Sequence, residues 1–388
     1  MPRIPTPARR APLVPVTIRV HLAAARPRGS TMYLGGNLPA LGDWKPDRIR
    51  LERISAGTFE HRFAAPAGTV AEFKVTRGSW RTQAVYGESA DEVPPDNRAF
   101  RVEGPDCLFE TTVTDWLDKL PVSCDPIQGE LRFHPGMAGD GLEYPRDLIV
   151  WLPPSFGKIR KRYPVLYMHD GQNLFDPATS FCGQDWKLDE TAMRLMKRKK
   201  IREFLIVGLA NTPDRMEEYN LFKPKGEAYA RFLIDVAKPF VDASYPTLPG
   251  PEHTAVGGSS MGGLCSFQLA WLHADVFSKA ACLSPAFWFS RGRMYRLVRE
   301  GPPPARPVQL YLDAGDLEPP IWRGFHKMAG LLRERGFVDG KDLLAYPDVG
   351  AVHSEAAWAA RLHHPLEFLF GRPPAARSGR QRGKKENV

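Results

Sequence analysis

The sequence predicts two folded parts in tandem, a small all-β sandwich followed by a mostly parallel sheet with helices on both faces. Three observations carry this. Between Val16 and about Val113 short alternating runs are separated by Gly, Pro and Asp clusters, with no helical period. Beyond residue 128 nearly continuous apolar runs alternate with helix-like stretches. Between them, WLDKLPVSCDPIQG (116–129) reads as a linker. Runs that alternate belong to strands with one wet face, whereas continuous apolar runs belong to strands covered on both faces.

In the first part VTIRVHL (16–22), TMYLGGN (31–37), FEHRFAAP (59–66), VAEFKVTRG (70–78) and RAFRVEG (98–104) are the strands. Several short strands at this spacing predict an antiparallel, immunoglobulin-like sandwich. In the second part RDLIVWLPP (146–154), PVLYMHDG (164–171), FLIVGLAN (204–211) and HTAVGGSS (253–260) are the first strands. KAACLSP (279–285), VQLYLDAG (308–315) and LLAYPDVG (343–350) complete the series. LDETAMRLMKRKK (188–200), AYARFLIDVAKPFVDA (228–243) and GGLCSFQLAWLHA (262–274) lie between them as helices. The expected division is an arm over 1–15, the sandwich over 16–115, a linker over 116–128, the catalytic domain over 129–371 and a basic tail over 372–388.

Composition excludes several classes. Hydrophobic residues make up 43% and charged residues 25%, ordinary for a globular chain. No apolar run has the length of a membrane span, and no apolar segment precedes the early prolines, so a cytoplasmic protein is expected. The net charge of +9 points to nucleic acid until it is located. Residues 372–388 carry a balance of +5 and residues 1–16 another +3, leaving about +1 for the rest. Both tails are therefore expected to be disordered and self-repelling, with no nucleic-acid surface on the folded part. Five cysteines without CxxC spacing argue against a disulfide framework or a zinc ribbon and for free buried thiols.

Gly258-Ser259-Ser260-Met261-Gly262 has the form G-x-S-x-G between a strand and a helix. A strand-to-helix elbow holds its serine in a strained conformation above the sheet, and small residues two before and two after it avoid clashes. This is the nucleophile elbow of the α/β-hydrolase fold, and it makes Ser260 the nucleophile. Ser259, with Met261 two residues on, fits the turn less well. In this fold the acid and then the histidine follow the serine. His353 stands just past the last core strand, before the final helices, where the general base belongs. His273, His326, His363 and His364 fall within helical stretches. The acid comes from the loop after VQLYLDAG, where Asp313, Asp316 and Glu318 are all near. Its task is to orient the imidazole and stabilise the imidazolium. The oxyanion donors are expected from the N–H of Met261 and, after Gly171, the N–H of Gln172. His169 and Asp170 are read as shaping that loop rather than as metal ligands.

The residues YPVLYMHDGQNLFD (163–176), WKLDET (186–191), ANTPDRMEEY (210–219), GGSSMGG (257–263), LSPAFWF (283–289), YLDAGDLE (311–318) and HSEAAWAARL (353–362) resemble the esterase D / enterochelin esterase-type family over roughly 128–371. The resemblance implies a Ser–acid–His ester hydrolase without metal or organic cofactor. It places the acid three residues after Gly315, at Glu318, with Asp316 as the other choice. It leaves the acyl group open. GGNLPALGDW (35–44), FKVTRGSW (73–80) and DNR (96–98) resemble glucoamylase-type starch-binding modules. That implies Trp44 and Trp80 as stacking faces for glucose rings and Asn97 as a polar partner. The stretch between Trp80 and Asn97 is longer than in those modules.

The expected function is thus a serine carboxylic-ester hydrolase acting through an acyl-enzyme, on an acylated carbohydrate or related ester. Its partners would be the small-molecule ester and an α-glucan, not nucleic acid or membrane. The competing expectations are a glucan-binding scaffold on a hydrolase shell, and acyl transfer to sugar hydroxyls.

Overall fold

The computed structural model describes residues 12–23, 31–86, 97–119 and 127–372. The expected arm (to residue 11), the tail beyond Arg372, Cys124 and most of the stretch between Trp80 and Asn97 lie outside the described residues.

The sandwich is built from β1 (Leu13–Leu22), β2 (Tyr33–Gly36), β3 (Ile49–Arg50), β4 (Glu52–Ser55), β5 (Thr58–Pro66), β6 (Val70–Thr76), β7 (Ala84–Val85), β8 (Arg98–Arg101), β9 (Cys107–Val113) and β10 (Asp115–Trp116). Two four-stranded sheets, β4-β5-β1-β9 and β3-β2-β6-β8, face each other, with β10-β7 as a short extra pair. Ile18, Val20, Leu34, Phe73, Val75 and Val113 fill the space between them. One expectation is corrected: the sandwich is not wholly antiparallel, because β1 and β9 run parallel. Within their sheet these are the first and last strands in sequence, so the connection between them is long enough for a parallel pair. The boundaries also shift. Residues 13–15 belong to β1 rather than to the arm. Trp116, expected to open the linker, is fully buried in the sandwich core, and Arg77 stacks over its ring at 4.7 Å.

The second sheet contains β11 (Glu130–Met137), β12 (Arg146–Leu152), β13 (Val165–His169), β14 (Leu205–Leu209), β15 (Thr254–Ser259), β16 (Lys279–Leu283), β17 (Gln309–Gly315) and β18 (Leu343–Asp348). Its order is β11-β12-β14-β13-β15-β16-β17-β18. The pairs β11–β12 and β12–β14 are antiparallel, and from β14 to β18 every pair is parallel. The helices are α1 (Leu188–Lys197), α2 (Arg215–Glu218), α3 (Pro224–Arg231), α4 (Lys238–Ser244), α5 (Met261–Leu272), α6 (Phe289–Glu300), α7 (Pro319–Glu334), α8 (Glu355–Arg361) and α9 (His363–Phe370).

Successive residues of a strand point to opposite faces. Val165 and Tyr167 accordingly join the core beneath α3–α7, while Leu166 and Met168 join the one beneath α1, α8 and α9. The helix expected over 228–243 is three pieces. A π-helical turn, Phe232–Ala237, sits between α3 and α4. Pro239 lacks an N–H and its ring crowds the carbonyl four residues back, so the widened turn accommodates it. Among the described residues no helix is long and apolar enough to cross a membrane. Cys182, Cys265 and Cys282 are buried free thiols, and Cys107 is half-buried.

The two parts touch. Trp80 meets Phe181 edge-on, centroids 6.4 Å apart, and a Cβ on Gly183 would stand 3.2 Å from the Leu117 side chain. The sandwich thus rests on the loop that precedes α1.

Candidate active site

Parallel sheets carry their sites at the carboxyl ends of their strands. Here β13, β15, β16, β17 and β18 all deliver a loop to that edge. Ser260 joins β15 to α5 with φ 56° and ψ −116°, a strained conformation for a residue with a side chain. The turn is strapped from both sides. The Ser260 N–H donates to the Leu283 carbonyl at 2.9 Å, and the Ala286 N–H donates to the Ser260 carbonyl at 3.0 Å. Glycine leaves room on each side of it. A Cβ on Gly258 would stand 3.1 Å from the Gly262 Cα and the His169 Cβ, and one on Gly262 would stand 3.2 Å from the same His169 atom. Ser259 closes β15 and is buried, whereas Ser260 is partly exposed. Met261 opens α5, so its N–H has no acceptor within the helix and lies at the positive end of the helix dipole.

His353 lies between β18 and α8, and Glu318 immediately precedes α7. His353 Nδ1 is hydrogen-bonded to Glu318 Oε2. The other carboxylate oxygen accepts the Gly315 N–H at 2.8 Å and the Ser284 hydroxyl at 2.9 Å. Burial pushes the Glu318 carboxyl up, but His353 and Arg361 outweigh it and hold it below the usual range. The other two acid candidates are engaged elsewhere. Asp316 accepts the Gly350 N–H at 2.7 Å. Asp313 is buried against Arg361, with Oδ2 3.0 Å from its Nε, and accepts the Ser284 N–H at 2.8 Å. The His353 ring meets Trp358 at 4.9 Å in a T-shaped contact.

Ser284, which the sequence did not single out, ties these groups together. Its φ is 42°. Its hydroxyl donates to Glu318 and accepts from Trp358 Nε1 at 3.0 Å and from Arg361 at 2.7 Å. The signal available in the sequence was the Ser-Pro pair that ends β16, which marks a turn but assigns no role.

The remaining loop follows β13. Asp170 adopts φ 57° and ψ 46°, and Gly171–Asn173 form a 3-10 turn. A Cβ on Gly171 would collide with the β14 backbone, 2.7 Å from the Leu209 nitrogen, so only glycine fits. The Asp170 carboxylate accepts Arg215 Nε and a terminal nitrogen, both at 2.7 Å, and Asn211 Nδ2 at 2.6 Å. The Asn211 N–H donates to Gln172 Oε1 at 3.1 Å, and Thr179 donates to the Gln172 carbonyl at 2.6 Å. His169 is fully buried. Its Nδ1 meets the Tyr229 hydroxyl at 2.8 Å, and burial pushes its pKa down to about 3. His169 Nδ1 and the Asp170 carboxylate are thus engaged by neighbouring side chains, while the buried His169 Nε2 has no hydrogen-bond partner among the described residues.

Among the described residues one group of carboxylates is close-set. Carboxylate oxygens of Asp185, Asp189 and Glu190, at the start of α1, lie within 4.8 Å of one another. Burial is the first cause that pushes Asp185 up to about 6 and Glu190 to about 7. Asp189 accepts the Gln128 N–H at 2.7 Å. In the sandwich, the half-buried Trp44 and Trp80 are in tilted contact at 6.4 Å. The tip of the Trp80 ring covers Gly35, where a Cβ would stand 2.7 Å from it. Asn97 is hydrogen-bonded to Glu72 of β6.

The family profile described as "Putative esterase" matches residues 140–369. Uncharacterized protein YbbA of Bacillus subtilis (strain 168) is 22% identical over 245 residues, covering 58% of this chain and 93% of that one. An endo-1,4-beta-xylanase/feruloyl esterase of Xylanibacter ruminicola is 25% identical over 225 residues, covering 57% of this chain but 29% of that longer protein. Among solved structures, a ferulic acid esterase superposes with TM-score 0.52 at 20% identity, over 63% of this chain and 98% of that one. An enterochelin esterase from Shigella flexneri superposes with TM-score 0.53 at 15% identity, over 92% of each. At these identities the likeness of the structures is one of fold.

Proposed function

From the premise that this chain belongs to that esterase family and is a carboxylic ester hydrolase of the α/β-hydrolase fold, we propose that it works through a serine nucleophile and an acyl-enzyme. Ser260 attacks the ester carbonyl and His353 takes its proton. Glu318 holds the imidazole by Nδ1, which leaves Nε2 to serve the serine, and stabilises the imidazolium that forms. The N–H groups of Met261 and Gln172 receive the oxyanion. Such a donor contributes about 3 kcal/mol to the transition state. His353 then gives its proton to the leaving alcohol. Water, activated by the same histidine, attacks the acyl-enzyme and releases the acid.

The observation that carries this reading is the pairing of buried Glu318 with partly exposed His353 at the same sheet edge as the strained Ser260 elbow. The pair gives the histidine one tautomer. The positive φ of Ser260, which costs on the order of 1–3 kcal/mol, is the kind of strain that persists at functional turns. A non-catalytic scaffold would have no use for either. On the substrate side, we take the ester to be one of a sugar or related alcohol, with the sandwich over about 13–117 as the domain that meets it. The test is turnover of p-nitrophenyl acetate. An initial burst of p-nitrophenol is expected, and Ser260→Ala should lower kcat by at least ~10⁴-fold. Unchanged turnover in Ser260→Ala would remove the mechanism.

A further inference from the structure

Strand β6 has one face inside the sandwich and one outside it. Ala71, Phe73 and Val75 are fully buried in the sandwich core. The period of two therefore sends Glu72 and Lys74 to the other face. That face is covered, since both residues are only partly exposed. What covers it follows from the contacts on either side. Downstream of β6, Trp80 meets Phe181, and the Phe181 N–H donates to Asn173 Oδ1 at 3.2 Å. Thr179, two residues earlier, holds the Gln172 carbonyl. The sandwich thus leans on the loop that carries the second oxyanion donor. Across the same junction the charges of His353 and Glu318 act on Glu72, and that of Lys74 acts on Cys182 and Glu355.

We propose that the outer face of β6 is a wall of the substrate site, and that Glu72 is a specificity-determining carboxylate that accepts hydroxyl donors from the alcohol half of the ester. This rests on Ser260 and His353 acting as described above. The assignment to the alcohol half follows from proton transfer. His353 must deliver its proton to the leaving oxygen, so the leaving alcohol lies on the His353 side, where Glu72 sits. An ionised carboxylate only accepts, and it has room for about four donors. The Asn97 amide supplies one. Burial pushes the Glu72 carboxyl up, with His353 and Asn97 opposing it. A carboxylate so placed gains from donors that replace the water it has lost. Hydroxyl donors match its free lone pairs, and its charge repels an anionic alcohol. Asn97 and Trp80, which the sequence marked for sugar binding, then belong to the mouth of the catalytic site rather than to a remote module.

The experiment compares two size-matched acetates, methyl 6-O-acetyl-glucopyranoside and cyclohexylmethyl acetate, on the full chain and on Glu72→Leu and Glu72→Gln. The readout is the ratio of their kcat/KM values. The expected result is a ratio favouring the glucoside that falls about tenfold or more in Glu72→Leu, mainly through KM, with a smaller fall in Glu72→Gln. A ratio unchanged in both variants, even with both rates lowered, would overturn the proposal, as would a Glu72-dependent preference for choline acetate. Loss of the Ser260 reading is separate: turnover of cyclohexylmethyl acetate would then survive Ser260→Ala. Binding of the glucoside acetate to Ser260→Ala, followed by calorimetry, tests Glu72 without turnover. It should weaken about tenfold when Glu72→Leu is added, and equal affinity would contradict the proposal.

Discussion

Glu318 gives one carboxylate oxygen to His353 Nδ1 and the other to the Gly315 N–H and the Ser284 hydroxyl. The carboxylate therefore has little freedom to turn, and the imidazole it holds has one tautomer. Replacing its charge while keeping its shape, as in Glu318→Gln, should lower kcat by ~10²–10⁴-fold with KM within about twofold. Asp316→Asn, which alters only the link to Gly350, should leave kcat within about twofold. Steady-state kinetics on p-nitrophenyl acetate decide between them, and the reverse ranking would make Asp316 the acid.

Ser284→Ala removes a donor from Glu318 and an acceptor from Trp358 and Arg361, all of them buried. Leaving such groups unpaired costs about 1–3 kcal/mol each. Denaturant unfolding should show a loss in that range, and kcat should fall because Glu318 is freed to rotate. Full stability together with full activity would remove Ser284 from the support of the site.

Arg215 of α2 holds both oxygens of Asp170. Breaking a buried ion pair by removing one partner costs about 3–5 kcal/mol, since the other charge is left without a match. Arg215→Met should destabilise the fold by roughly the lower end of that range, because the arginine is partly exposed. It should also lower kcat about tenfold or more through the Gln172 loop. Pairing it with Asp170→Asn should recover part of the stability. Thermal melts and kinetics on the three variants check this.

The carboxyl cluster at the start of α1 predicts the pH dependence of stability. Glu190 is raised from 4.5 to about 7 and Asp185 from 3.8 to about 6. The folded state then binds more protons than the unfolded state across that window, so stability falls as pH rises through it. Melting temperature should decline between about pH 4.5 and 7, and Glu190→Gln should flatten the decline. A decline of the same slope in the variant would place its cause elsewhere.

The elbow was legible because its requirements are local. Gly258, Ser260 and Gly262 lie within one turn between a strand and a helix, although the crowding of the two glycines against His169 comes from another strand. The placement of His353 in the loop after the last strand was legible too. The choice between Glu318 and Asp316 was not, because they share a loop and only the start of α7 at Glu318 turns that side chain toward His353. Ser284 and Arg361 act through contacts between elements 34 to 77 residues apart, which no spacing rule reaches. Glu72 reads in sequence as the polar half of an alternating strand. Its role emerges only when the sandwich is docked. The early linker boundary failed for a related reason: Trp116 and Leu117 look like a break in pattern, yet they close the sandwich core and meet the other domain.

The central claim is that the hydroxyl of Ser260 carries the acyl group. A fluorophosphonate that traps activated serines, followed by peptide mapping, tests it most directly. The account predicts one adduct per chain, on Ser260, that abolishes esterase activity in step with labelling and disappears in His353→Ala. An adduct on Ser259, or a fully active protein that takes up no label, would contradict it.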